Sequence, residues 1–329
     1  MKVFESHNPD AAIRSRSSSG GIFSMLASET LKAGGTVYGA RFARDYSVSM
    51  ARIDNLQQLD CLRGSKYVFA SIRPVLAEIE QDVSDGKQVL VCCTPCQIAA
   101  LRSRFGSPEN LLLVEVVCHG APRPEIWNKY LDEFCKRHGK TKADIAEINF
   151  RDKRNGWKTY SLTIAFKSGK RFTERFEDNL YMRSFLFGYT VREACFNCRF
   201  KYPDGSKADI TLGDFWGIDK LAPEIDNNSG TTLVIAGTDK GMRAVNSLRV
   251  DAVTKLDMAA KYNRAIKSPS RKPTQFDNFL SSVNSGESLL ATMEQFAGRP
   301  FRKKMKARLK RFLQNLKFPQ KKTCKAMLL

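Results

Sequence analysis

The 329-residue sequence has little that would take it into a membrane or out of the cell. Its longest uncharged apolar run, Gln88 to Leu101, is too short to cross a bilayer and carries Pro95. Met1 to Arg16 is polar, with no apolar segment of the kind a secretory leader needs. The expectation is a cytoplasmic protein, in which the nine cysteines serve as ligands or core thiols rather than disulfides. No GxGxxG follows a strand pattern and no Walker A sequence occurs, so neither Rossmann nor P-loop chemistry is supported. There is no fixed-period repeat. Acidic residues are missing from 299 to 329, where twelve Lys/Arg stand without one Asp or Glu. Taking those twelve from the net charge of +20 leaves +8 for the first 298 residues, an ordinary excess that speaks against a nucleic-acid partner.

What is present has globular proportions, 42% hydrophobic and 27% charged. Apolar runs at Val37 to Phe42, Val48 to Ile53, Gln88 to Cys92 and Leu111 to Val117 read as strands. Helical patterns lie between or after them at Gly20 to Gly34, Leu76 to Val83, Gln97 to Phe105 and Pro124 to His138. This alternation predicts an α/β fold with a mixed sheet core over 1–147. From residue 148 the rhythm changes to antiparallel strands at 148–151, 159–166 and 170–176, then a helix over 179–189. The expected division is a core over 1–264 (with 148–264 its antiparallel part), a linker and helices over 265–298, and a basic amphipathic helical tail over 299–329. Helices are expected at Gln275 to Phe296 and Phe301 to Leu316. The tail suits a membrane surface or a partner, or a solvated face packed on the protein.

Four cysteines stand in site-like contexts: Cys96 in Thr94-Pro95-Cys96-Gln97, Cys118 in Cys118-His119-Gly120, and Cys195-Phe196-Asn197-Cys198 as a CxxC. Spacing alone leaves three readings open: an iron–sulfur cluster, a structural zinc, or unligated thiols. Cys92 and Cys93 sit in an apolar strand and read as core thiols. Ser17-Ser18-Ser19-Gly20-Gly21 before a helix is either an anion site or a capped helix start. Arg151-Asp152-Lys153 with Gly156-Trp157, and Gly213-Asp214-Phe215-Trp216-Gly217, place charge beside an aromatic ring, or are turns with packed indoles.

In order and spacing these runs, together with Leu62-Arg63-Gly64-Ser65-Lys66-Tyr67, resemble the coenzyme F-420 hydrogenase/dehydrogenase beta-subunit family from about Ser17 to about Asn263. The resemblance implies a flavoprotein with a 4Fe–4S cluster and a non-Rossmann flavin-binding architecture for FAD. Electrons would pass to or from a deazaflavin (coenzyme F-420) or another two-electron acceptor. It implies Cys96, Cys118, Cys195 and Cys198 as cluster ligands, with Ser18, Ser19, Gly20, Gly21 and Lys66 facing the FAD phosphates. Thr94 and Gln97, beside Cys96, join the cofactor-binding set, and Arg151, Lys153 and Trp157 would lie near the flavin. His119 and Asp214 are the candidate proton-transfer groups.

Many relatives carry an N-terminal ferredoxin-like module, whereas the first cysteine here is Cys61. A single cluster fed by an external donor such as ferredoxin is therefore expected, with a small organic substrate. Stand-alone relatives resemble proteins of bacterial surface-polysaccharide pathways, which would suit peripheral membrane contact of 299–329 at the inner face. The rival reading is a non-catalytic interaction protein, stabilised by zinc or an inert cluster and docking through its basic tail.

Overall fold

In the computed structural model of the chain, residues 1–248 and 253–299 are described. Eleven strands are found there: β1 (Lys2–Ser6), β2 (Thr36–Phe42), β3 (Val48–Ile53), β4 (Val89–Cys93), β5 (Leu111–Val116), β6 (Ile145–Asp152), β7 (Ser161–Phe166), β8 (Arg171–Arg175), β9 (Ile210–Asp214), β10 (Thr232–Ala236) and β11 (Val253–Thr254). Eight build one sheet in the order β11-β1-β10-β9-β5-β4-β2-β3, and β6-β7-β8 form a second. The large sheet is mixed. β2, β4, β5 and β9 run parallel, and the flanking pairs are antiparallel.

Strands β4 and β5 are almost wholly apolar because both faces are covered. Successive side chains alternate between two cores: Leu90 and Val114 pack with Ile22, Leu26 and Val37 on one face, Val91 and Leu113 with Ile79, Ile98 and Leu101 on the other. The first face is covered by α2 (Ile22–Lys32), which follows the short α1 (Ala11–Arg16). The second is covered by α3 (Leu76–Ser84) and α4 (Pro95–Phe105). α5 (Pro124–Arg137) and α6 (Leu180–Leu186) pack on the small sheet around Trp127, Tyr130, Phe150 and Tyr181. α7 (Ile218–Leu221), α8 (Asp239–Asn246) and α9 (Leu256–Tyr262) follow along the chain. α10 (Phe276–Asn284) and α11 (Leu289–Ala297) close over the small-sheet core through Phe279, Leu289 and Met293.

The α/β character and the mixed sheet expected from the sequence are present. Two features differ. The polar N-terminus contains β1, which sits between β10 and β11 and buries Val3 and Phe4 on opposite faces. The large sheet draws strands from both sides of residue 148, since β9 to β11 join it. The helices expected over Gln275 to Phe296 are α10 and α11, separated at 285–288, where the Ser288 hydroxyl caps α11 by accepting from the Ala291 amide at 3.4 Å. Among the described residues no helix is long and apolar enough to cross a membrane. The basic tail beyond Arg299, with its expected helix at Phe301 to Leu316, lies outside the described residues.

Candidate functional site

The parallel strands β4, β5 and β9 end side by side, and a cavity of about 740 Å³ opens at their carboxyl ends, the usual ligand position in open α/β sheets. Its floor comes from the strand ends themselves: Cys92 and Cys93, Val116 to Cys118, and Leu212 to Asp214. The size is that of a large organic cofactor or ligand.

One end is built for an anion. Gly21, at φ +89°, turns the chain into α2, and no side chain caps that helix. The N-terminal residues Ile22, Phe23 and Ser24 line the cavity, so the positive end of the helix dipole stands beside it, the Ser24 amide being bonded to the Gly21 carbonyl at 3.1 Å. Ser17, Ser18 and Ser19 line the same end. The Ser18 hydroxyl accepts from the Ser65 amide at 2.6 Å, joining the serine run to the 63–66 turn. Gly20 does not line the cavity. A Cβ there would stand 2.6 Å from the Ser6 carbonyl oxygen and 2.8 Å from the Thr232 amide nitrogen, so its role is close approach of backbone to the sheet. Lys66 lines the cavity and donates to the carbonyls of Cys61 (3.0 Å) and Arg63 (2.8 Å). Burial pushes its ammonium down to about 8. Arg63 donates to the Ser24 hydroxyl at 3.0 Å and adds a second cation at the helix start.

The middle is aromatic and cationic. Arg151, 3% exposed, donates to both oxygens of Asp214 (2.6 and 3.0 Å) and to the Tyr67 hydroxyl (3.0 Å). Its guanidinium lies 4.1 Å from the centre of the Tyr160 ring. Trp157 is fully buried and not part of the wall. It stacks at 4.6 Å on Trp216, which does line the cavity, and donates its ring N–H to Asp214 at 3.1 Å. The indole facing the cavity is therefore Trp216, with Trp157 one layer behind. Asp214 accepts three hydrogen bonds, two of them from a buried cation, which makes it an anchor for Arg151. That occupation is a poor fit to the proton-transfer role expected of Asp214. Lys153 lies away from the large cavity as well, donating to the carbonyls of Arg14, Ser19 and Ser229 at 2.6, 3.0 and 2.8 Å. It ties the serine run to the 227–230 loop and lines a separate cavity of about 250 Å³. Burial, with Arg151 and Arg14 nearby, pushes its ammonium down to about 7.

The other end carries thiols. Cys118 and His119 line the cavity, whereas Cys96, Cys195 and Cys198 do not. Cys96 is exposed, and the other three are half-buried. Cys118 feels the charge of Cys195 and Cys96, and Cys195 that of Cys96 and Cys198, so the four form one neighbourhood. Burial pushes Cys118 up to about 12 and raises Cys195. Polar groups reach the sulfurs: the Ala121 amide donates to Cys195 at 3.4 Å, the Gly120 backbone bonds Cys118, and the Thr94 hydroxyl stands 3.4 Å from Cys96. Lys201 donates to the Cys118 and Ala265 carbonyls, putting a cation beside the thiols. Among the described residues no three His, Cys, Asp or Glu side chains close on one point as they would around a single metal ion. Gln97 is buried, donating to the Ala70 carbonyl at 2.7 Å and accepting from Thr94 at 3.1 Å, so both motif residues support the start of α4 at the cavity wall. The His119 ring bonds the Leu186 carbonyl through Nε2 at 3.2 Å, and burial lowers its pKa below the usual imidazole value.

The family model for the C terminus of the coenzyme F420 hydrogenase/dehydrogenase beta subunit matches residues 86–261, more than half of the chain. The chain belongs to this family. Membership gives it a redox relationship, the family being one of hydrogenase and dehydrogenase subunits. Among solved structures it is similar to a chain of the xenon-derivatised F420-reducing [NiFe] hydrogenase complex from Methanosarcina barkeri. The two are 14% identical with a TM-score of 0.55, over 87% of this chain and 91% of that one. At that identity the likeness speaks for the fold. No curated protein matches the sequence.

Proposed function

We propose that this family member is an iron–sulfur flavoprotein oxidoreductase, with FAD in the 740 Å³ cavity and a 4Fe–4S cluster held by Cys96, Cys118, Cys195 and Cys198. The observation that carries the reading is continuity: a single cavity runs from an uncapped helix N-terminus to Cys118, the innermost of four neighbouring thiols. The donor set suits the groups. Neighbouring thiols that do not close on one point fit a multinuclear cluster better than zinc, which draws four sulfurs to about 2.3 Å. Amide and hydroxyl bonds to the sulfurs and the Lys201 ammonium offset the charge of a thiolate-ligated cluster. At the opposite end the α2 amides, the serines, Arg63 and Lys66 would hold the FAD phosphates.

Bound there, the flavin would exchange single electrons with the cluster and two-electron equivalents with an organic substrate. The chain's own part is orientation. Arg151, fixed by Asp214, keeps a buried positive charge at the aromatic middle of the cavity, where Trp216, Tyr67 and Phe185 offer flat surfaces to a planar ring. His119 is the residue left to move a proton: with Nε2 donating to Leu186, Nδ1 is the free acceptor of a neutral ring. The electron donor would be an external carrier such as a ferredoxin, and the acceptor a small organic molecule, a deazaflavin or a sugar intermediate of bacterial surface-polysaccharide synthesis. The protein would work in the cytoplasm, with the tail over 299–329 as a peripheral membrane contact. Anaerobic purification followed by an absorption spectrum tests the reading. Flavin bands over broad iron–sulfur charge transfer are expected; a colourless protein with stoichiometric zinc would sink it.

A further inference from the structure

We infer that the surface around the cysteine-bearing loops is a docking face for a small acidic one-electron carrier protein. The inference deepens the redox reading above and rests on it for the carrier's purpose. The thiols are layered. Cys118 lines the cavity, Cys195 and Cys198 are not part of its wall, and Cys96 is exposed, so the group reaches from the cavity wall to the surface.

Two segments frame the exit, 192–207 with the CxxC and 264–272. They are held together by Lys201 donating to the Ala265 and Cys118 carbonyls, by the Ser270 hydroxyl on the His119 carbonyl, and by Lys272 at 3.8 Å from Glu193. Together they carry eight Lys/Arg and two Asp/Glu. Lys267 and Lys272 pair with Asp257 and Asp277, whereas the four arginines have no carboxylate partner among the described residues. Arg192, Arg199, Arg264 and Arg271 are exposed. Arg264 bonds only the Pro269 carbonyl, at 3.2 Å, and Arg192 lies over the Phe69 ring at 4.0 Å. Arg199 and Arg271 have no side-chain partner among the described residues.

A cluster of exposed, unpaired arginines at the outer end of a thiol path repels cations and draws an acidic partner. Such encounters are small, transient and steered by charge. The occupant that fits is an acidic protein carrying one electron near its surface.

The test uses the anaerobically purified full chain and an acidic plant-type 2Fe–2S ferredoxin as probe, with binding read by titration calorimetry. Saturable binding at low ionic strength that weakens steeply with salt is expected. Arg199→Glu/Arg264→Glu/Arg271→Glu should bind at least tenfold more weakly at an unchanged melting temperature, because all three side chains are exposed. Lys32→Glu/Lys170→Glu, remote in the chain from both segments, should bind as the parent does. No binding by the parent, salt-independent binding, or parental affinity in the triple variant would overturn the inference. Iron and flavin content of the same preparations reports separately on the redox reading. Carrier binding without cofactors would refute that reading and leave the docking face standing, and cofactors without carrier binding would do the reverse.

Discussion

Asp214→Asn is the most revealing single change at the centre of the cavity. It removes the negative charge facing Arg151, which is 3% exposed and has no other carboxylate partner among the described residues. With its oxygen at the Oδ1 position the amide still accepts from Trp157 and from one Arg151 nitrogen, while the Arg151 nitrogen bonded to Oδ2 loses its acceptor and the guanidinium stays charged in a buried place. Removing one member of a buried pair costs about 3–5 kcal/mol. Asp214 is 17% exposed, so water can partly replace it, and the lower end, about 3 kcal/mol, applies. Urea unfolding of parent and variant at neutral pH measures this as a lowered midpoint at unchanged slope. Arg151→Met/Asp214→Asn should recover about 1–2 kcal/mol, because the orphaned charge is gone while the Trp157 acceptor remains. A loss under about 1 kcal/mol in Asp214→Asn, or a double variant worse than the single one, would refute the reasoning.

Gly20→Ala should cost about 1–3 kcal/mol by forcing a Cβ against the Ser6 and Thr232 backbone, and should lower flavin retention by shifting the serine run; calorimetry and flavin content check both. Lys66 titrates at about 8 in the folded chain against 10.5 ordinarily, so between those values the unfolded chain holds a proton the native one lacks and stability rises with pH. Lys66→Met should lose that rise, read from denaturation midpoints at pH 8 and pH 10, and an unchanged rise would show the ammonium to be solvated. Lys201→Met removes the cation beside Cys118 and should move the cluster potential to a lower value while Lys201→Arg retains it, as measured by redox titration.

Much of this arrangement is legible in the sequence, because the motifs are local. The apolar strands at 89–93 and 111–116 carry Cys93 and the approach to Cys118 in one continuous hydrophobic signal. The glycines at 20 and 21 announce a close approach and a helix start. What stays hidden depends on pairings distant in sequence. Lys2–Ser6 has only Val3 and Phe4 as apolar residues, and becomes a strand because β10, more than two hundred residues later, supplies its partner. The exchange of Trp157 for Trp216 at the cavity wall has the same origin: both indoles sit in similar Gly-rich, charged motifs, and only their mutual stacking decides which one faces inward. Lys153 carries the charge expected of an anion ligand, yet three backbone carbonyls, from α1, the serine run and the 227–230 loop, claim it. Lys201 stands in the basic exit of the CxxC, Arg199-Phe200-Lys201, but its bond to the Cys118 carbonyl joins residues far apart in the sequence.

The central claim, that Cys96, Cys118, Cys195 and Cys198 share one cluster at the inner end of this cavity, is tested most directly by iron per chain in anaerobically prepared Cys→Ser variants. The account predicts about four irons in the parent and in Cys61→Ser and Cys92→Ser. Each of Cys96→Ser, Cys118→Ser, Cys195→Ser and Cys198→Ser should lose most of that iron. Full iron in any one of those four, or zinc in place of iron in the parent, would contradict it.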